Sequence, residues 1–543
     1  MKPRTSVLLS LLCVALCRGQ DVARMDQIVT SYASSGKFMG SVLVARGDQV
    51  LFNKGYGSAN LEWDIPNTPS TKFRLGSITK QFTAASILLL EERGKLSTGD
   101  PVKKYMPDAP AAWDKVTLFN LLTHTSGIPS FTGFKDFAEK DPFATTPANL
   151  VARFRDKPLE FEPGTKWAYD NSGYVLLGYL IEKISGETYA DFVRENIFTP
   201  LGMKDSGYDS NSEVIPHRAS GYAPGPKGPE NASFVHMSVP FSAGALYSTT
   251  EDLLKWEAGL FGGKVLSAAS LAKMTTPFKQ GYAFGLGVAT VDGKKQFAHG
   301  GGINGFNTFL SYSPDDRTTV VVLGNLNGQA PDEIGALLVK LAHGEAVKLS
   351  SERTAITVSV DVLKSYVGTY ELQPGLDYYV TLDGGQLMGR LGKQPGFPLF
   401  PEAPTFFFLK VVDAQIEVVK DPSGAVTSLI LHQGGRDQTM TRKSSTVEPP
   451  PGHKEITLSK EILKHYVGTY RLSPNIDILV TLDDTQLGVQ LTGQQRFPVY
   501  PEAENKFFLK VVDAQLEFVP GDGGLAKSVI LHQNGMDQNA PRE

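Results

Sequence analysis

The sequence predicts an α/β domain, with a mixed antiparallel sheet flanked by helices and a helical subdomain, followed by two small all-β barrel domains. Three observations carry this expectation. Strand-like segments stand near both ends of the first 345 residues, with helical segments between them. The run from Phe82 to Leu90 is apolar on every side, as in a helix buried at the centre of a domain. Past Glu345 the sequence repeats itself at a constant displacement of 100 residues, without a gap.

At 543 residues the chain exceeds what one hydrophobic core supports, so several domains are required. Its formal charge of −4 and lack of a basic stripe exclude a polyanion-binding class, so no nucleic-acid partner is expected. Lys2 and Arg4 precede the apolar run from Val7 to Cys17, which is too short to span a bilayer and fits a secretory signal peptide over residues 1–20. The mature protein is therefore expected to be secreted or periplasmic, with no stable membrane span. Both cysteines, Cys13 and Cys17, fall inside this segment. Disulfides, thiolate metal sites and a cysteine nucleophile are thereby excluded together, and neither a metal nor a cofactor is expected.

Within residues 21–348 the elements follow in order. Gly40 to Phe52 reads as two strands around the turn Arg46-Gly47-Asp48. Leu75-Gly76-Ser77-Ile78-Thr79-Lys80-Gln81 opens the buried helix, and Gly94 is placed to end it. Leu118 to Pro129 is helix and loop. Val175, Leu176, Leu177, Leu180 and Ile181 recur at helical spacing, predicting a helix over Tyr174 to Ile184. Strands return at Ala283 to Val288, Gln296 to His299, Asn307 to Tyr312 and Thr318 to Leu323, and a helix around Asp332 to Leu341 closes the domain.

The repeats cover 353–443 and 453–543. Val362 to Tyr370 returns as Ile462 to Tyr470, and Phe407 to Gln415 as Phe507 to Gln515. Alternating strand segments punctuated by turns such as Asp383-Gly384-Gly385 fit a small antiparallel barrel. The Pro-rich stretch 444–452 between them reads as a semi-rigid linker. Such copies can serve as spacers, and oligomerisation through them is one expectation.

Ser77 and Lys80, three residues apart on a helix, share a face about one turn apart. A buried amine beside a hydroxyl at the positive end of a helix is the arrangement of an activated nucleophile. The same spacing recurs at Ser34/Lys37 and Ser270/Lys273, so it signifies little alone. Further along stand Tyr169-Asp170-Asn171, the chain's one Tyr-x-Asn, and His299-Gly300-Gly301-Gly302 after a short apolar pair.

Ser-x-x-Lys, Tyr-x-Asn and His-x-Gly in this order resemble the serine β-lactamase and penicillin-binding-protein family. The likeness is to its branch of class C β-lactamases, D-Ala-D-Ala carboxypeptidases, D-aminopeptidases and esterases. It extends from about Gly40 to Leu341 and includes Leu121 to Gly127, Pro200 to Met203 and Ser248 to Leu253. The resemblance implies a β-lactamase-like fold and a serine hydrolase that works through an acyl-enzyme on a small-molecule or peptide substrate. It implies Ser77 as nucleophile and Lys80 and Tyr169 as the groups that share its proton. Asn171, His299 and Gly301 would bind substrate, and the amides of Ser77 and Gly302 would form the oxyanion hole. His124 is expected to be a structural loop residue. The third motif departs from the Lys-Thr-Gly of β-lactamases, which favours ester or peptide substrates over β-lactams. A non-catalytic sensor or binding protein is the competing reading. The repeats resemble the lipocalin-like β-domains appended to some of these hydrolases.

Overall fold

A computed structural model describes residues 21–543 apart from short segments at 226–227, 292, 350–351, 393, 395, 411–413, 434–435, 448–454, 474–475, 492–495, 510–513 and 534–535. The signal-peptide expectation and most of the Pro-rich linker lie outside the described residues. The chain divides into two compact units, ending and beginning at Val347 and Lys348.

The first unit is built on a six-stranded sheet of β1 (Gly40–Arg46), β2 (Gln49–Tyr56), β3 (Gly287–Val291), β4 (Lys294–Ile303), β5 (Phe306–Ser313) and β6 (Thr318–Gly324). Its order is β3-β4-β5-β6-β1-β2, so segments from both ends of the domain meet at the β6–β1 pair. That pair runs in register from Gly40 opposite Gly324 to Arg46 opposite Thr318. Every neighbouring pair is antiparallel rather than mixed, as the tight turns joining β1 to β2 and β3 through β6 require. β6 is buried along its whole length, because helices cover both faces.

Four helices matter for the site: α1 (Thr79–Glu92), α2 (Asn171–Ser185), α3 (Thr250–Phe261) and α4 (Ala330–Ala342). Every residue of α1 from Thr79 to Leu90 is buried, the polar Thr79, Lys80, Gln81, Thr83 and Ser86 along with the apolar run. The helix ends at Gly94, whose φ of 67° is the left-handed conformation that glycine adopts without strain. α3 lies on the α1 side of the sheet, where Trp256 stacks on Phe82 at 4.2 Å and donates its indole N–H to Gln81 at 2.8 Å. α4 covers the opposite face.

One predicted strand begins four residues later than expected. Ala283 to Leu286 forms a turn closed by Ala283 N–H donating to the Leu286 carbonyl at 2.9 Å. The run is apolar because it is buried, but Gly285 takes φ 73° and packs so closely that a Cβ would stand 2.5 Å from the Lys80 carbonyl oxygen. β3 begins only at Gly287.

In the second unit the first repeat opens with a short helix, Val360–Tyr366, and continues as one nine-stranded antiparallel sheet. Its two edge strands, Phe397–Pro398 and Phe400–Ala403, are separated only by Leu399, so the sheet curls into a nearly closed barrel. The second repeat has the same succession of strands, in a four-stranded and a five-stranded sheet bridged at Tyr470 and Arg542. The repeated Tyr-Val-Gly-Thr-Tyr has a packing cause. Tyr370 and Tyr470 are fully buried, and each donates its hydroxyl to the backbone carbonyl four residues earlier, Tyr366 at 2.7 Å and Tyr466 at 2.8 Å.

Candidate active site

Ser77 does not cap α1. It sits in a single 3₁₀ turn, Gly76–Ile78, that runs directly into the helix. Gly76 has φ 54°, and a Cβ there would stand 2.8 Å from the Gly302 nitrogen. The serine turn therefore lies against the backbone of β4, bringing the first and third motifs together across more than two hundred residues of chain.

Lys80 is fully buried. Its ammonium donates to Ser77 Oγ at 3.0 Å, Asn171 Oδ1 at 2.8 Å and the Ala243 carbonyl at 2.9 Å, using all three of its hydrogens. The rings of Tyr169 and Tyr174 lie 4.9 and 5.5 Å from the nitrogen. Burial lowers its pKa to about 7, with the charge of Asp170 opposing the shift.

Tyr169 keeps 37% of its surface exposed, but its hydroxyl is enclosed and hydrogen-bonded with Ser77. Burial holds the phenol well above its ordinary pKa, while that hydrogen bond acts in the other direction. Asn171 opens α2 with its amide already committed: Oδ1 accepts from Lys80, and Nδ2 donates to Thr132 Oγ1 at 3.1 Å. It aligns the lysine, a task distinct from the substrate contact that the resemblance implies.

His299 has both ring nitrogens engaged. Nδ1 lies 2.5 Å from the Gly300 carbonyl, and Nε2 lies 3.0 Å from the Tyr282 hydroxyl. The ring stands 6.2 Å from that of Tyr169, at the mouth of the site. The three glycines differ in their surroundings. At Gly301 a Cβ would collide with the Leu75 carbonyl oxygen at 2.0 Å and Thr308 Oγ1 at 2.2 Å, whereas at Gly302 it would meet only Asn307 Nδ2 at 3.4 Å. Gly301 therefore lets β4 approach the serine turn, and this packing accounts for the residue without a substrate contact. Gly301→Ala is expected to cost about 1–3 kcal/mol of stability from overpacking. Turnover should fall at least about tenfold as β4 is pushed from Ser77. Gly302→Ala should keep the native melting temperature, and calorimetry with ester turnover on both variants checks the contrast.

His124 lies behind Tyr169. It is buried, with φ 56°, and its ring centroid is 4.4 Å from that of Tyr169 and 4.6 Å from that of Tyr282. Its Nδ1 accepts the Asp170 N–H at 3.1 Å. Burial pushes its pKa well below the ordinary value, so the ring is neutral. The Ala243 carbonyl, Thr132 and Tyr282 have no sequence signal; His124 stands in the family-like Leu121 to Gly127, but nothing there marks its contact with Tyr282. Asp170 stands inside the Tyr-x-Asn motif and was open to notice. The two other Ser-x-x-Lys pairs lie elsewhere: Lys273, for example, forms an ion pair with Glu91 at 2.9 Å.

The Beta-lactamase family matches residues 25–344, more than half of the chain. The chain belongs to this family. A domain of unknown function, DUF3471, matches twice more, at residues 352–447 and 452–541. Among relatives in the β-lactamase family, penicillin-binding protein 4* of Bacillus subtilis is 30% identical over 435 residues, covering 75% of this chain and 95% of that protein. An octameric penicillin-binding protein homologue from Pyrococcus abyssi superposes with a TM-score of 0.55 at 27% identity, covering 78% of this chain and 100% of that one. A D-stereospecific amidohydrolase from Streptomyces sp. does so with a TM-score of 0.50 at 26% identity, covering 58% and 98%. With its serine, lysine and tyrosine assembled in one site, the chain is a serine hydrolase of the β-lactamase and penicillin-binding-protein family.

Proposed function

We propose that the protein hydrolyses amide or ester bonds of peptide-like substrates through an acyl-enzyme on Ser77. One observation carries the reading: the hydrogen-bond partners of Lys80. The Asn171 Oδ1 and Ala243 carbonyl oxygens can only accept, so they fix two of its N–H groups. When the amine is neutral, its lone pair is left facing Ser77 Oγ, ready to take the hydroxyl proton as the oxygen attacks a carbonyl carbon. Tyr169, hydrogen-bonded with Ser77, then relays a proton to the leaving group. In this reading the Ser77 and Gly302 amides receive the developing oxyanion.

The sheet edge supports the proposed substrate class. β4 pairs with β3 only as far as Ala298, whereas its pairing with β5 continues to Ile303. Residues 299–303 thus offer a backbone edge to which an extended peptide-like substrate can add as a strand. The amidohydrolase relative, which acts D-stereospecifically according to its name, supports a D-configured amide as the first candidate. Turnover across p-nitrophenyl esters, D- and L-aminoacyl anilides and nitrocefin tests this. Ester and D-anilide should be cleaved fastest and the β-lactam slowest; nitrocefin as the best substrate would contradict the assignment.

His299 leads to a second expectation. In the Lys-Thr-Gly form of the motif a permanent charge assists a substrate carboxylate, whereas an unperturbed imidazole titrates near ~6.5. The ratio of kcat/KM for a carboxylate-bearing ester to that for its neutral analogue should rise as pH falls from about 8 to 5. In His299→Lys it should be nearly flat. A flat wild-type ratio assigns His299 to structure alone.

The site's location outside the cytoplasm is proposed from the N-terminal segment. Among the described residues no helix is long and apolar enough to cross a membrane. Assembly through the repeats is proposed too, with the octameric relative as support.

A further inference from the structure

Asp170 is buried in the site, yet the steps above do not use it. Its Oδ2 caps α2, accepting from Gly173 N–H at 3.0 Å and from Ser126 Oγ at 3.3 Å, while its buried Oδ1 has no hydrogen-bond partner. Capping alone does not explain a carboxylate here. Serine and asparagine cap a helix as well as aspartate and bring no charge to be desolvated.

We propose that Asp170 is a positioning residue whose charge controls when Lys80 surrenders its proton, and thereby sets the acid limb of the reaction. The inference rests on the reading of Lys80 as the group that takes the Ser77 proton. Around the pair stand His124 from the loop after Leu118–Leu122, Tyr169 before α2, Tyr174 within it, and Tyr282 and His299 from the β3–β4 region. His124 is neutral, with Nδ1 accepting from Asp170 itself, and burial keeps the three phenols protonated. The buried opposite charges are therefore Lys80 and Asp170, with His299 at the mouth adding a cation when it protonates.

No direct ion pair joins Lys80 and Asp170; Asn171 intervenes, bonded to the amine. The attraction is thus through space and depends on the carboxylate's charge, so it is lost with that charge even where the cap's hydrogen bonds are kept. Burial raises the pKa of the Asp170 carboxyl to about 7, against the Gly173 and Ser172 amides, the Ser126 hydroxyl and Lys80. Two sites that ionise in the same range and feel each other lose their protons as a coupled pair. An ionised Asp170 holds the proton on Lys80; removing the carboxylate makes Lys80 release it at lower pH.

The test measures the rate at which a fluorophosphonate modifies Ser77 between pH 5 and 9, in wild type, Asp170→Ser and Asp170→Asn, with thermal unfolding of the same samples. Both variants keep a cap, so the fold should persist. The midpoint of the acid limb should move down by about one unit, with labelling up to roughly tenfold faster where wild-type Asp170 is ionised and the limbs converging toward pH 5, where it is protonated. The wild-type limb should need two coupled ionisations and the variants one. Superimposable midpoints, or a uniform loss of rate at every pH without a shift, would overturn the proposal and leave Asp170 a helix cap. Failure of wild type to label Ser77 at any pH would instead refute the underlying acyl-enzyme reading.

Discussion

Ser77→Ala is expected to lower turnover of every substrate by on the order of 10⁴-fold or more, while leaving melting temperature within a degree or two of wild type. The size of the effect follows from its position. Oγ is the one atom hydrogen-bonded with both Lys80 and Tyr169, and it lies in the turn that Gly76 presses against Gly302. Removing it deletes the bond-forming atom, the hydroxyl that the lysine's ammonium is bonded to. Ser130 and Thr132 are committed around Asn171, the first accepting its N–H and the second its side-chain amide. The fold should be indifferent, because Ser77 supplies no cap to α1. Steady-state rates at matched protein concentration decide the matter. A variant within tenfold of wild type would assign the chemistry to another residue.

Tyr169→Phe should reduce kcat by ~10²–10⁴-fold, the usual worth of a positioned proton relay. The ring that packs on His124 at 4.4 Å and lies over Lys80 at 4.9 Å is retained, so only the hydroxyl is lost. Since burial raises the phenol's pKa, the hydroxyl enters the reaction protonated and can donate to a leaving group. The loss should therefore be larger for anilides, whose leaving nitrogen needs a proton, than for p-nitrophenyl esters, whose phenolate leaves without one. Retention of more than about a third of wild-type turnover on both would mean that Lys80 acts alone.

What could be read from the chain and what could not divide along physical lines. Periodicity and caps locate α1 and α2 to within a few residues because local spacing determines a helix. The motifs place Ser77, Lys80, Tyr169 and His299 in one site because chemistry restricts which residue types can do this work. Contacts between distant segments leave no such mark. The Ala243 carbonyl that completes the lysine's hydrogen bonds belongs to a backbone atom that any residue carries. The turn at Gly285 and the late start of β3 at Gly287 depend on how closely that loop approaches α1. Gly301 illustrates the same limit: the motif marks the residue, but only the backbone packing, which would leave a Cβ 2.0 Å from the Leu75 carbonyl oxygen, explains why it is glycine.

The central claim is that Ser77 carries the acyl group. The most direct measurement is to treat the full-length protein with a fluorophosphonate and, separately, a labelled penicillin, then digest it and map the adduct by mass spectrometry. A single modified peptide containing Ser77, lost in Ser77→Ala, is the predicted result. An intact, folded protein that turns over ester yet carries no adduct, or carries it on a residue other than Ser77, would contradict the account.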